Sequence, residues 1–412
     1  MSYLLIDIEV TEPLPTISLA ETETGMGLIV RRKKKPIGFI MRALPARSTV
    51  TSRELAATIA QKFSNRLVEE GIREELAPKP KLLTTPSLTV AICTKDRTDN
   101  LNRCLQSLLK IRADSENKNS WWNILVVDNA PSDDRTRELV ESLEEVNYVL
   151  EPKPGLNFAR NQALNTATGE FLAFIDDDVV VDSQWLNGWL EAWSTHPDAG
   201  GFTGLVLPYE LATEAQILFE SRTGWNFRRG FNRVRYEPDY PNNPNNYLYP
   251  CGTGVFGVGC NMAFRREILL QIGGFDEALD TGKPLPGGGD HDIFYRVIRA
   301  GYPLIYEPSY LVFHQHRQEY KQLRHQHWTW GLSFMAFATK AYQTDPEKRL
   351  QWLRLIRWWF KELFRQLLKS LLGRYIAPPN LILAELWGSV VGLFGEYSRS
   401  QHRIEKIRKQ YQ

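Results

Sequence analysis

The stretch from Phe171 to Asp178 is Phe-Leu-Ala-Phe-Ile-Asp-Asp-Asp, five apolar residues followed at once by three carboxylates. An apolar run of this length predicts a strand that is buried on both faces. Three similar runs precede it, and each is followed by a segment with helical periodicity. The earlier strands are predicted over 88–92, 122–127 and 147–150, and the helices over 101–111, 133–143 and 156–167. The alternation predicts an α/β domain whose mostly parallel sheet carries helices on both faces.

Polar residues follow all four predicted strands. In such sheets, ligands bind at the carboxyl ends of the strands. The segments that follow the strands are Thr94-Lys95-Asp96-Arg97, Asp128-Asn129, Lys153-Pro154-Gly155 and Asp176-Asp177-Asp178. Because all four segments lie at one edge of the predicted sheet, they predict a single polar crevice. This convergence is stronger evidence for a ligand site than any one motif.

The acidic triplet itself predicts a cation site. Three adjacent carboxylates repel one another and need a counter-charge. Their hard oxygens suit Mg²⁺ or Mn²⁺, and such an ion stabilises the charge of a departing diphosphate. The alternative is a solvated turn after a strand. The apolar run before the triplet and the polar ends of the neighbouring strands argue against that alternative.

A second candidate site is Gly287-Gly288-Gly289-Asp290-His291-Asp292. Its glycines let the backbone approach a ligand closely. Asp290 is predicted at the mouth of a helix, where a carboxylate can act as general base towards a sugar hydroxyl. For Asp292, a structural role as a helix cap or as the partner of Arg296 is the favoured interpretation.

Two further residues have open interpretations. His314 and His316 are two apart on a predicted strand and therefore share a face. His314 is either a metal ligand, a phosphate contact or a hydrogen-bonding surface histidine. Arg160 either binds phosphate, fixes Asp176 or is a surface arginine.

The flanking regions differ in pattern from this core. Residues 1–85 predict a small α+β accessory domain that ends in a linker over 77–81, and residues 86–320 form the predicted catalytic domain. Within it, a helix is predicted over 262–273 and a long loop over 227–250. Residues 321–412 are predicted to be mainly helical. The basic amphipathic helix over 350–372 either lies in a membrane interface near anionic lipid or packs on the catalytic domain or a partner subunit.

Composition narrows the classes of partner. The 412 residues have a net charge of only +2, which argues against a nucleic-acid ligand. The four cysteines form no Cys-x-x-Cys pair and are expected to be reduced thiols of a cytosolic protein. No apolar run reaches the ~18 residues of a membrane span. We expect a cytoplasmic protein, with contact to the inner face of the membrane left open.

Residues 88–320 resemble glycosyltransferase family 2, the inverting transferases with the GT-A fold, a Rossmann-like α/β architecture. The matching stretches are 91–97 (Ala-Ile-Cys-Thr-Lys-Asp-Arg), 126–129 (Val-Val-Asp-Asn), 154–161 (Pro-Gly-Leu-Asn-Phe-Ala-Arg-Asn), 174–178 (Phe-Ile-Asp-Asp-Asp), 273–277 (Gly-Gly-Phe-Asp-Glu) and 289–292 (Gly-Asp-His-Asp). They occur in the family's order and at its usual spacing.

The resemblance implies roles for several candidate residues. Asp178 matches the metal ligand at the end of the family's Asp-x-Asp motif; the second predicted ligand, His314, is a candidate from its place on the strand and not from the resemblance. Asp290 matches the Asp of the Glu-Asp base motif, although Gly289 replaces the usual Glu. The resemblance also implies that Thr94, Asp96 and Asp128 hold the nucleoside and that Asp176 contacts ribose or the metal shell. Arg97, Arg160 and Asp177 are further candidates for binding the nucleotide sugar.

These roles imply an inverting, hexosyltransferase-type enzyme that depends on Mn²⁺ or Mg²⁺. The donor would be a UDP- or GDP-sugar, and the acceptor a glycan, a lipid-linked sugar or a small molecule. The product would be a polysaccharide, a glycolipid or a glycosylated metabolite. The alternative is a non-catalytic nucleotide- or glycan-binding protein on the same fold, which the presence of both Asp178 and Asp290 disfavours. Assembly as a homodimer is left open.

Overall fold

The computed structural model describes residues 1–76, 85–113, 121–221, 229–238 and 248–411. The predicted linker over 77–81, and part of the predicted loop over 227–250, lie outside these ranges. The strands are β1 Ser2–Glu9, β2 Ile17–Ser18, β3 Glu23–Arg32, β4 Lys35–Ala43, β5 Thr49–Val50, β6 Leu88–Thr94, β7 Trp122–Asn129, β8 Val146–Glu151, β9 Phe171–Asp176, β10 Val179–Val181, β11 Gly201–Pro208, β12 Val234–Tyr236, β13 Asn261–Arg265 and β14 Leu304–His314. The α-helices are α1 Ser52–Leu76, α2 Thr98–Ala113, α3 Arg135–Glu141, α4 Leu156–Thr166, α5 Trp185–Thr195, α6 Glu214–Ser221, α7 Arg266–Gln271, α8 Gly289–Arg299, α9 Tyr320–Thr344, α10 Arg349–Leu371, α11 Pro379–Val391 and α12 Tyr397–Gln410.

The central sheet has the strand order β10-β14-β11-β13-β9-β6-β7-β8, and β12 also pairs with β14. The four strands predicted from sequence form its parallel half, in which β6 lies between β7 and β9, and β8 follows β7. Helices α2, α3 and α4 connect these strands, as the alternating pattern predicts. The α/β fold class is therefore confirmed. The other half of the sheet is mixed, with β13 antiparallel to both of its neighbours.

The predicted helix over 262–273 is wrong over its first four residues, 262–265. Strand β13 occupies Asn261–Arg265, and only the short α7 follows it. Met262, Ala263 and Phe264 are all buried, because β13 lies between β9 and β11. A short apolar run does not distinguish a buried strand from a helix by periodicity, so pairing with distant strands decides.

The N-terminal segment forms its own three-stranded sheet, ordered β1-β3-β4, with a hydrophobic core shared with α1. Arg31 of β3 connects this sheet to the central domain. Its guanidinium lies 2.7 Å from the Asp7 carboxylate and 2.6 Å from that of Asp182, just before α5. Arg31 and Asp182 are both buried, where a charge is tolerated only with a well-placed partner.

The C-terminal helices pack against the central domain. Trp352, Leu355 and Leu363 of α10 belong to the same buried cluster as Phe158 and Tyr295. The packed alternative predicted for the 350–372 helix therefore holds for one of its faces. In the described part of the chain, no helix is both long and apolar enough to cross a membrane. The division at 85/86 and 320/321 stays a prediction.

Lys340 of α9 ties the C-terminal helices to α8. Its ammonium group lies 2.7 Å from the carboxylates of both Asp276 and Asp292. Asp292 also pairs with Arg296 at 2.8 Å, as the sequence predicts. These contacts anchor the first turn of α8.

Helices α9 and α11 approach so closely that only glycine fits at their crossing. A Cβ atom on Gly388 would lie 2.0 Å from the carbonyl oxygen of Trp328, and one on Gly331 would lie 2.1 Å from that of Glu385. Both obstacles are backbone atoms, which a rotamer change cannot move aside.

We expect Gly388→Ala to destabilise the protein by roughly 1–3 kcal/mol, because the methyl group would push the two helices apart. The matched control is Gly71→Ala in α1, where the nearest atom is a side-chain nitrogen of Arg32 at 3.7 Å. There, alanine is expected to leave the free energy of unfolding unchanged or raise it by up to about 1 kcal/mol. Urea titrations of both variants test this, and equal responses would contradict the close approach.

Candidate active site

A cavity of about 2260 Å³ opens at the carboxyl ends of the parallel strands. It extends from the acidic triplet to the helices of the C-terminal region. Of the predicted site residues, those that line it are Thr94, Asp96, Arg97, Arg160, Asp176, Asp177, Asp178, Asp290 and His314. The remaining one, Asp128, lies buried at the end of β7 beside the cavity wall.

The acidic triplet comprises the last residue of β9, Asp176, and the turn to β10, Asp177 and Asp178. Strand β10 pairs antiparallel with β14, and this register sets Val179 opposite His314. The backbone N–H of Gln315 donates to the carbonyl oxygen of Asp178 at 3.0 Å. The pairing thereby holds the Asp178 carboxylate beside the His314 ring.

Asp177 is held by the loop that follows β6. Thr94 donates its hydroxyl to one Asp177 oxygen at 2.7 Å, and Arg97 donates to the other at 2.8 Å. Burial raises the pKa of Asp177, although the Arg97 charge opposes the rise. Both oxygens thus have protein partners, and Asp177 joins the β6 and β9 strand ends. Its predicted contact with the donor stays a prediction.

Asp178 and His314 form a buried pair, with the His314 Nε2 atom 3.2 Å from an Asp178 oxygen. Burial acts to raise the pKa of Asp178, but the charge and hydrogen bond of His314 outweigh it and hold the pKa well below its usual range. For His314, burial acts to lower the pKa and Asp178 raises it more strongly. Arg97 lies 3.3 Å from the second Asp178 oxygen. The site therefore keeps Asp178 ionised.

The pKa of Asp176 is shifted in the opposite direction to that of Asp178. Burial and the neighbouring negative charge of Asp178 raise its pKa from 3.8 to about 6, and the positive charge of Arg160 offsets only part of this. A second positive charge at this point would stabilise the ionised carboxylate.

The donor atoms around the triplet fit a divalent cation. Asp176, Cys260 and His314 each offer one atom, and these atoms lie within 4.8 Å of one another. Carboxylate oxygens suit Mn²⁺ or Mg²⁺, and Asp178 adds a further oxygen beside His314. The Cys260 thiol fits less well, because it is a soft donor and burial raises its pKa far above the ordinary value.

Asp290 occupies the first turn of α8. One carboxylate oxygen accepts the backbone N–H of Gly259 at 3.1 Å, and the other accepts that of His291 at 2.8 Å. Burial acts to raise the pKa of Asp290, but the charges of His291 and Arg160 and these hydrogen bonds bring it below 3.8. Asp290 is thus ionised and fixed in orientation. Gly259 permits the approach, since a Cβ atom there would lie 3.0 Å from the Asp290 Cβ.

Arg160 lies between the triplet and Asp290. It is buried and donates to Asp280 at 3.0 Å and to Asn157 at 3.1 Å. Asp280 also accepts the backbone N–H of Gly289 at 2.9 Å, next to Asp290. Burial raises the pKa of Asp280 to about 6, against the opposing Arg160 charge. The sequence analysis missed Asp280, and no motif marked it.

The residues predicted to hold the nucleoside are fixed by their own loops. Asp128 accepts the Tyr148 hydroxyl at 3.1 Å, and burial raises its pKa. Asp96 has a φ of +54° and accepts the backbone N–H and the hydroxyl of Ser132 at 2.8 and 2.9 Å. Sequence reasoning missed Tyr148 and Ser132 as partners. The role of these residues towards a nucleoside stays a prediction.

Asp176→Asn is expected to stabilise the metal-free protein at neutral pH. Because the folded state raises the pKa of Asp176 from 3.8 to about 6, it binds that proton more tightly than the unfolded chain does. The free energy of unfolding therefore falls as the pH rises from about 4 to 6, because the unfolded chain releases the Asp176 proton more readily than the folded protein does. Asparagine does not ionise, so the variant does not lose this stability. The expected gain in free energy of unfolding is roughly 1–3 kcal/mol near pH 7, falling to nothing at about pH 3.

Urea titrations across this pH range test the expectation, with the exposed Asp99→Asn as the matched control. Addition of Mn²⁺ should stabilise the wild type more than the Asp176→Asn variant. A variant that is less stable than the wild type in metal-free buffer near pH 7 would contradict the account of the triplet.

Comparisons with known proteins identify a family and several relatives to which the chain is similar. The model of the glycosyl transferase family 2 matches residues 89–273. The glucosyl-dolichyl phosphate glucuronosyltransferase of Haloferax volcanii is 24% identical over 203 residues, which cover 48% of this chain and 57% of that protein. The succinoglycan biosynthesis protein ExoM of Rhizobium meliloti is 33% identical over 230 residues, which cover 55% of this chain and 65% of that protein. The chain thus spans less than two thirds of either relative.

Among solved structures, the mannosyltransferase PcManGT from Pyrobaculum calidifontis, in complex with GDP-Man and Mn²⁺, is 16% identical. It aligns with 82% of this chain and 97% of its own, with a TM-score of 0.49. The family match covers β6 to α7, the part of the chain that supplies the acidic triplet. Over these residues, the chain is similar to glycosyltransferase family 2.

Proposed function

We propose that this protein is an inverting, metal-dependent glycosyltransferase that moves a sugar from a nucleotide-diphosphate donor to an acceptor hydroxyl. The observation that carries the proposal is that one cavity contains both the acidic triplet with His314 and the ionised Asp290. Similarity to this family supports sugar transfer. The relatives named for glucuronosyl transfer and for succinoglycan biosynthesis support a role in glycolipid or polysaccharide synthesis.

The donor would bind along the ends of β6, β7 and β9. Thr94, Asp96 and Asp128 would hold the nucleoside, and the diphosphate would face Asp178 and His314. These two residues, with Asp176, would hold a Mn²⁺ or Mg²⁺ ion, which when bound supplies positive charge for the diphosphate. Arg97 is already engaged with Asp177 and Asp178, so its contribution to the donor would be electrostatic.

The acceptor would approach from the side of α8. Asp290 would take the proton of the acceptor hydroxyl while that oxygen bonds to the anomeric carbon and the bond to the diphosphate oxygen breaks. Attack from the face opposite the leaving group inverts the anomeric configuration. The backbone N–H groups of Gly259 and His291 fix the carboxylate, which restricts it to one orientation.

The rival function is a non-catalytic protein that binds nucleotides or glycans in the same cavity. Binding alone gives no reason to hold an ionised carboxylate at the first turn of α8, in the same cavity as the cation site. Such a carboxylate is what the transfer reaction needs, because the acceptor hydroxyl must lose a proton. This observation favours the transferase.

Asp178→Ala is expected to reduce the metal-dependent affinity for UDP or GDP by roughly 10–100-fold, because the cation would lose an oxygen ligand. Calorimetric titration of nucleotide with and without Mn²⁺ measures this. The matched control is Asp99→Ala, since Asp99 is exposed and does not line the cavity. Unchanged Mn²⁺-dependent binding in the Asp178 variant would contradict the assignment of the metal ligand.

Asp290→Asn is expected to keep donor binding and to lower turnover by about 10²–10⁴-fold, since the amide accepts no proton. Screening nucleotide sugars by thermal shift identifies the donor, and nucleoside diphosphate release with an acceptor then gives the rate. Asp99→Asn again serves as the control. If the Asp290 variant turns over at the wild-type rate, Asp290 is not the base. A wild type that binds donors without transferring to any acceptor would favour the binding protein.

A further inference from the structure

Helix α10 presents three different faces, and one of them is the apolar face already described. Successive residues of an α-helix turn by about 100°. On this spacing Trp352, Leu355, Trp359 and Leu363 project to one side, and all four are buried in the core shared with the central domain. Packing of this kind explains one side of the helix only.

The side opposite the core is also apolar, yet it faces solvent. Leu353, Phe364, Leu368 and Leu371 are 52%, 55%, 63% and 64% exposed. The helical spacing sets them roughly 140° from the buried row. Large exposed apolar side chains that follow one another along a helix mark an interaction surface. We call this set, with Leu350, the outer row.

The neighbouring helix adds further exposed apolar side chains. Leu383 and Trp387 of α11 are one turn apart and are 51% and 63% exposed. The two helices touch directly, since the indole N–H of Trp359 donates to the Ser389 hydroxyl at 2.9 Å. Tryptophan side chains are typical of helices that lie in the headgroup region of a bilayer.

Charge identifies the kind of partner. Residues 349–374 contain seven Lys and Arg residues and a single Glu. Four of the seven are exposed and lie outside the cavity wall: Arg349, Arg354, Arg357 and Lys361. Arg357 and Lys361 are exposed and, on the helical spacing, lie within the outer row. Their long aliphatic stems can lie along apolar groups while the charged ends reach lipid phosphates. A protein partner would need a matching acidic and apolar surface, whereas an anionic bilayer offers both properties at once.

The third face of α10 lines the cavity that contains Asp290. Trp358, Arg365 and Lys369 contribute to its wall, and Arg374 follows just after the helix. Arg365 pairs with Glu362, which lines the same wall, at 2.5 Å. One helix therefore separates the cavity from the outer row, so that a surface bound to the outer row would lie next to the cavity.

We propose that the outer row, together with Leu383 and Trp387, docks on an anionic lipid bilayer. The docking itself does not depend on the proposed function. If that function holds, docking brings the wall of the cavity to the membrane and favours a lipid-linked acceptor. The helices would lie in the interface without crossing it.

The test is flotation of the purified full chain with vesicles of phosphatidylcholine alone and of phosphatidylcholine mixed with phosphatidylglycerol. We expect binding to the mixed vesicles, weaker binding at high salt, and little binding to phosphatidylcholine alone. Combined replacement of Phe364, Leu368 and Leu371 by Ser should lower binding to the mixed vesicles by about tenfold or more.

The chain offers a matched control on α1. Val68, Ile72 and Leu76 are 60%, 53% and 76% exposed and follow one another at the same helical spacing. Their surroundings are acidic, because residues 65–76 contain four Glu and two Arg. Combined replacement of these three by Ser should leave vesicle binding unchanged. Thermal unfolding of both triple variants checks that each is folded.

Three outcomes would overturn the proposal: no binding to the mixed vesicles, equal binding by the outer-row variant, or an equal loss in the α1 control. Sedimentation equilibrium tests whether a second copy of this chain, and not a bilayer, covers the outer row. A wild-type dimer that becomes monomeric in the outer-row variant, with no vesicle binding, would make this face an interface between two copies. Because flotation needs neither donor nor turnover, failure of the proposed function leaves this test valid.

Discussion

Mutual repulsion among Asp176, Asp177 and Asp178 is the constraint around which the central domain is arranged. Like charges a few ångströms apart cost much more free energy in a partly buried site than in water. The compensating groups come from three separate elements: Arg97 from the loop after β6, Arg160 from α4 and His314 from the end of β14. Only the folded sheet brings these groups to one place, so the triplet and the fold depend on each other.

The compensation is unequal, and this gives the three carboxylates different properties. Asp177 has protein partners on both oxygens and serves the scaffold. Asp178 has its pKa lowered by His314, whereas Asp176 has its pKa raised to about 6 and gains most from an added positive charge. A carboxylate whose ionised form is unfavourable without a counter-charge gains free energy when a cation binds beside it. This is the physical link between the triplet and the proposed chemistry.

The parallel half of the sheet could be predicted because its signals are local. Each of its strands is a continuous apolar run, and the polar residues that follow it are adjacent in sequence. Strand β13 could not be recognised, because its short apolar run has the same appearance in a helix. Pairings between strands that are far apart in the sequence could not be predicted either. The register of β10 on β14, which sets His314 beside Asp178, depends on residues far apart in the chain.

Partners without a motif were missed for a related reason. Asp280 touches Arg160 and the backbone of Gly289, yet a single Asp in a loop carries no sequence signal. Helix α10 shows a different limit of prediction from sequence. Its amphipathic pattern allowed either packing or membrane contact, and the structure assigns packing to only one of its faces. Periodicity identified an apolar helix but could not show that two of its sides are apolar.

We propose that the acidic triplet and Asp290, which line a single cavity, serve one reaction. A crystal structure with Mn²⁺ and UDP or GDP, with the ion located by anomalous scattering, tests it most directly. We expect a manganese peak beside Asp178 and His314, a diphosphate on that peak, and Asp290 facing the position of the sugar. A nucleotide bound outside the cavity, or an ion held without Asp178, would contradict it.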